Sequence, residues 1–104
     1  LAVAARRLES LEVMARSLPA ADAAELVRVC ELRDRLLVCR ALVAHMAARH
    51  ETRWHGFCEN ADYPECSIEW DRYVNSRLDA DGGIRIVLRD LVGEGERYEH
   101  SREA

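Results

Sequence analysis

No lysine occurs in this chain; all fifteen basic side chains are arginine. GC-rich codon usage accounts for such a bias, and so does a demand for bidentate anion binding by the guanidinium fork. Aromatics are scarce, with one Phe, two Trp and three Tyr, so any core must be built mainly from Leu, Val and Ala, a palette that favours helices. No apolar run approaches the roughly 20 residues needed to cross a bilayer. A secretory leader is not indicated either, because Arg6, Arg7, Glu9 and Glu12 interrupt the apolar pattern of the first twenty residues. The net charge of −4, with acids and arginines interspersed, gives no basic footprint for nucleic acid.

The four cysteines, Cys30, Cys39, Cys58 and Cys66, form no Cys-x-x-Cys pair. Cys30 and Cys39 fall nine residues apart in one expected helix, about 13.5 Å along its axis, too far for a disulfide. Cys58 with Cys66 stays geometrically open. A reducing, cytoplasmic setting is the expectation. With 104 residues, 49% apolar and 33% charged, the chain makes one globular domain. It begins at Leu1 rather than Met, which suggests an excised or processed piece.

Apolar positions Val3, Ala4, Leu8, Leu11, Met14, Ala15 and Leu18 recur at three and four, predicting an amphipathic helix over 2–18 that Pro19 ends. Asp22 with Glu25 reads as an N-cap and capping-box pattern. A second helix is expected over 22–50, with Leu26, Val29, Cys30, Leu32, Leu36, Leu37, Val43 and Met46 as a wide apolar surface. His50 then complements the helix dipole. About 29 residues make a rod of about 43 Å, longer than such a domain is wide, so part of its surface must face a third element or another domain. Residues 52–69 read as irregular chain. Trp70, Arg72, Val74, Ser76 and Leu78 alternate with Asp71, Tyr73, Asn75 and Arg77, and after the turn 79–83 Ile84, Ile86 and Leu88 alternate with Arg85, Val87 and Arg89 and lead into Leu91-Val92, predicting a β-hairpin. The fold class expected is mainly α: an antiparallel helical bundle of two long helices, with room for a short third, and a C-terminal β-hairpin. Residues 1–92 form that domain, and 93–104 a flexible charged tail.

Chemistry-bearing residues are few. His50-x4-His55-x2-Cys58, with His45 and Cys66 in reach, matches no common metal-ligand spacing. Cys58 beside His55 lacks a third group to orient a base. Gly82-Gly83 lies between expected strands, not at a helix start, so it offers no phosphate cradle. Asp79 and Asp81 are turn carboxylates, ordinarily solvated. No catalytic, cofactor-binding or metal-binding residue is assigned. Residues 51–64 are different. Arg53 follows a helix whose carbonyl ends it could complement, and Trp54, Phe57, Tyr63 and Trp70 place four of the six aromatics within 54–70. That clustering fits an interface anchor or an interior roof over the helices. The candidates for a domain interface are Arg53, Trp54, His55, Phe57, Asp62, Tyr63 and Trp70.

The same segment carries a resemblance. Glu51-Thr52-Arg53-Trp54-His55-Gly56, with Asp62-Tyr63 six residues after the Gly, is similar to a pattern in the C-terminal helical domain of adenylylsulfate reductase alpha subunits. These belong with the flavoprotein subunits of succinate dehydrogenase and fumarate reductase and with aspartate oxidase. Trp70 followed by Tyr73-Val74-Asn75-Ser76-Arg77 resembles that branch's Trp-x-x-Phe-Val-Asn-Ser-Lys. The likeness covers residues 22–92. It departs at Asn60, where the pattern has Arg, and at His55, where it often has Pro. The resemblance implies an FAD-dependent oxidoreductase as parent, whose flavin fold and catalytic His and Arg belong to segments N-terminal to this one. It implies no cofactor bound by this chain, a flavin-binding domain or subunit as partner, and room for an iron–sulfur subunit. A stand-alone helical interaction or homodimerisation module is the competing expectation, and a small metal or thiol site a third.

Overall fold

A computed structural model of the protein describes residues 1–54, 56 and 58–95. The order is α1 (Ala2–Arg16), α2 (Ala23–Ala48), a single 3-10 turn (Ile68–Trp70), β1 (Arg72–Leu78) and β2 (Ile84–Asp90). The expected tail over 93–104 falls mostly outside the described residues.

α1 stops at Arg16, two residues short of the expected end, with Ser17 as cap: its N–H and hydroxyl both donate to the Met14 carbonyl. Arg33 of α2 adds hydrogen bonds to the Ala15 and Arg16 carbonyls, filling acceptors that a helix end leaves unpaired. α2 starts as its sequence predicts. The Asp22 carboxylate accepts from the Glu25 N–H at 2.8 Å, and Glu25 reaches back to the N–H of Ala21 rather than of the cap itself. At its other end the helix closes on Ala48, so His50 lies beyond it and His45 is the basic residue of the last turn.

The two helices pair along part of their length, and the hairpin packs against α2. β1 and β2 are antiparallel, with Val74↔Leu88, Ser76↔Ile86 and Leu78↔Ile84 on one face and Tyr73↔Arg89, Asn75↔Val87 and Arg77↔Arg85 on the other. The turn needs its glycine: Gly82 has φ +82°, left-handed backbone that side chains disfavour. Arg40 ties three elements together. From α2 it donates to Glu12 of α1 at 3.2 Å and to the Gly82 carbonyl at 2.7 Å, leaving its Nε buried and unpaired.

Little of the apolar surface is enclosed. Among the described residues the buried hydrophobic ones are Ala15, Val29 and Leu36. Of the expected apolar surface of α2, Val43 and Met46 are half-buried, while Leu26, Cys30, Leu32 and Leu37 are exposed. With 3.6 residues per turn, Val38 stands about 180° from Val29, and Val27 and Leu42 flank it. All three are exposed, Val38 at 66%. No helix among the described residues is long and apolar enough to cross a membrane.

Candidate docking site around buried Glu51

After α2 the chain runs extended from Arg49, whose φ and ψ are −86° and 107°. In extended backbone, residues two apart share a side, so Arg49, Glu51 and Arg53 converge. The Glu51 side chain has no exposed surface. Its Oε1 accepts from Arg49 Nη1 and, at 2.8 Å, from Arg53 Nε. Its Oε2 accepts from Arg53 Nη2 at 3.1 Å and the Ser67 N–H at 3.0 Å, with the Cys66 thiol at 3.7 Å. Burial alone would push this carboxyl up. The hydrogen bonds from Arg53, the Ser67 backbone and Arg49 outweigh burial and bring it from 4.5 down to about 2. Glu51 in turn holds the Arg53 guanidinium above its ordinary range.

Around that carboxylate the loop is tied at both ends. Arg49 donates to the carbonyls of Trp70 and Arg72, joining the end of α2 to the start of the hairpin. Arg53 donates to the Ser67 carbonyl and to Asp71 at 3.2 Å. Thr52, 2% exposed, donates through its hydroxyl to the Tyr63 carbonyl and accepts from the Asn60 N–H, both at 2.8 Å. Its own N–H donates to the Glu65 carbonyl. Asn60 donates from its amide to the Arg49 carbonyl and accepts the Asp62 N–H. The His50 ring stacks on Tyr63 at 4.5 Å and meets Trp70 at 5.5 Å, tilted.

The sequence candidates therefore separate. Arg53, Tyr63 and Trp70 belong to one braced loop. Arg53 does not complement the end of α2: four hydrogen bonds, out of five N–H groups on a guanidinium, go to Glu51, Ser67 and Asp71. Trp54 is 73% exposed, so it roofs nothing. Trp70 is half-buried against His50, so the aromatic cluster is neither wholly interior nor wholly surface. Asp62 is exposed and contributes its backbone N–H. His55 and Phe57 lie outside the described residues.

Glu51, Thr52, Arg49 and His50 were not singled out as site residues, yet they hold the loop. The signal was Arg49-x-Glu51-x-Arg53 in a segment with no helical period. Ile68, 88% exposed at the start of the 3-10 turn, was missed as well. A cleft of about 350 Å³ opens between Leu1, the His45 and Met46 turn of α2, and residues 58–62. Among the described residues no group of three or more His, Cys, Asp or Glu is placed to hold a metal ion. Gly82 and Gly83 close a hairpin turn, so they do not fit a flavin pyrophosphate, which needs backbone N–H groups at a helix start. What the arrangement can do is hold a bent loop rigid, with Trp54 and Ile68 turned outward.

The sequence matches no protein-family model, and no curated protein matches it.

Proposed function

We propose that this chain is the C-terminal domain of an FAD-dependent oxidoreductase of the fumarate reductase, succinate dehydrogenase and adenylylsulfate reductase type. In this reading it packs against a flavin-binding domain, completes a helical bundle there, and does no chemistry alone. The observation that carries the reading is the strip Val27, Val38 and Leu42, exposed on the far side of α2 from Val29 and Leu36. Glu31, Asp34 and Arg35 rim this strip, and an exposed apolar strip with a charged rim fits a face that docks on a partner. The loop around Glu51 adds a second support. Because its hydrogen bonds are already made, docking Trp54 and Ile68 carries little ordering cost. FAD belongs to the partner, and the four unpaired, exposed cysteines fit a reducing cytoplasm.

The test begins with the gene. The reading frame upstream of Leu1, or a neighbouring gene, should encode a strand followed by Gly-x-Gly-x-x-Gly. Coexpressed, that polypeptide should carry this chain through purification together with bound FAD, and Val38→Asp with Leu42→Asp should release it. Absence of such a segment, or copurification indifferent to the double substitution, overturns the reading. A dimer of this chain alone at micromolar concentration, abolished by the same substitutions, would favour the homodimerisation module instead.

A further inference from the structure

The hairpin has a charge balance opposite to that of the whole. Its two strands hold Arg72, Arg77, Arg85 and Arg89 against one acid, Asp90, in a chain of net charge −4. The ladder then sorts these charges. Arg72 lies opposite Asp90, with Nε 3.7 Å from Oδ1. The other three arginines fall on the odd-numbered face of β1 and its register partners, together with Tyr73, Asn75 and Val87. No acid of either strand shares that face. The apolar set Val74, Leu78, Ile84, Ile86 and Leu88 is on the other face, and α2 packs against the hairpin.

Arg77 stands directly opposite Arg85, an arrangement that costs a sheet stability. Arg85 is partly compensated by Asp79, 3.3 Å away in the turn. Among the described residues Arg77 has no ion-pair partner. Tyr73 and Val87 between the arginines are exposed, and Tyr73, Asn75, Arg89 and Val92 line a shallow groove of about 310 Å³. Two like charges set face to face, with apolar side chains beside them, form a surface completed by a ligand that brings carboxylates and apolar groups together.

We propose that this outward face of the hairpin docks an acidic, partly apolar segment of another protein. Side chains on one face of a strand repeat about every 6.5–7 Å. Arg and apolar positions at that spacing match an extended peptide whose every second residue, on the side facing the hairpin, is in turn acidic and apolar. Among the described residues each strand also keeps one edge unpaired with any other strand, which allows such a peptide to add backbone hydrogen bonds. A nucleic acid fits less well. Its bases offer a stack for Tyr73, but its charge runs on past the patch into the field of a chain carrying −4. The surface is separate from the outer strip of α2, so the proposal goes beyond the docking reading and does not depend on it.

The experiment is fluorescence anisotropy on the full chain, with a labelled peptide repeating Glu-Ser-Val-Ser and, in parallel, a labelled oligothymidine of equal length. The peptide should bind at low salt, weaken as salt rises, and bind more tightly than oligothymidine. Arg77→Glu with Arg85→Glu should weaken the peptide by at least about tenfold. Arg77→Thr, which relieves the opposed pair and suits a strand, should weaken it too while keeping the melting temperature or raising it. Val38→Asp on α2 should leave peptide affinity unchanged. No peptide binding by the wild-type chain at low salt, tighter binding of oligothymidine, or equal peptide affinity in the folded Arg77→Thr variant overturns the proposal.

Discussion

A carboxylate with no exposed side-chain surface stays ionised only if its neighbours replace the water it has lost. Glu51 meets that condition with two arginines and a backbone N–H, so the charge and its fork-shaped partners stand or fall together. Glu51→Gln is therefore expected to lower unfolding stability by about 3–5 kcal/mol, as breaking a buried pair from one side does; urea denaturation of the two proteins measures it. The pH dependence follows from the direction of the shift. The folded carboxyl titrates near 2 and the ordinary one near 4.5, so the unfolded chain binds this proton first. The contribution is complete above about 4.5 and is lost as pH falls from there towards 2. Melting temperature across that window should decline in the wild-type chain, and the Glu51→Gln variant should lack this part of the decline. Thr52→Val should cost about 1–3 kcal/mol, because it strands the Asn60 N–H in a buried site. At this scale the sequence was only partly legible. Glu51-Thr52-Arg53 stood out as a motif, but which of its members was buried depended on Arg49 being extended rather than helical. The absence of lysine also acquires a physical use here. Arg33, Arg40, Arg49 and Arg53 all grip backbone carbonyls, and Arg53 adds a two-pronged hold on a carboxylate that an ammonium could not reproduce.

Elements were easier to read than residues, because period and punctuation are local. The Asp22 cap, the uninterrupted run to Ala48, the Gly82-Gly83 turn and the alternation of both strands each predict the element found. The misses lie at ends. α1 gives up Ser17 and Leu18 before Pro19, and α2 yields Arg49 and His50 to the loop, where Arg49 has two carbonyls and Glu51 to satisfy. Tertiary hydrogen bonds outbid helix continuation there, and no propensity reports them. Asp22→Ala should lower stability by about 1 kcal/mol, seen as a lower denaturation midpoint at unchanged slope. Gly82→Ala should cost about 1 kcal/mol or more. Nothing lies within 4 Å of the added methyl, so the whole effect would come from backbone at φ +82° rather than from a clash. Proton exchange at the Gly82 and Asp79 amides would register the loosened turn.

For the molecule as a whole, the deciding quantity is surface left over. A compact monomer of 11.8 kDa exposes about 5,900 Å², whereas this chain exposes 8782 Å². Nine residues of the composition of 96–104 offer at most about 1,700 Å² even in an unfolded chain, less than the difference. The length of α2 implied such an excess from the sequence, since one rod cannot be wrapped by one shorter helix and a hairpin. Which side would remain bare was not legible, because the apolar residues of α2 surround it. Buried and bare residues of the same kind must then respond differently to substitution. Leu36→Ala empties a core position and should cost about 2–5 kcal/mol in the isolated chain. Val38→Ser and Leu42→Ser, at exposed positions, should each change it by no more than about 0.5 kcal/mol. If α2 docks through its outer strip, the order reverses for association. The two serine variants should lose partner binding, in copurification or titration, while melting as the wild-type chain does. Large stability losses at Val38 and Leu42 in the isolated chain would mean that the strip is covered from within, and the docking reading would fall with it.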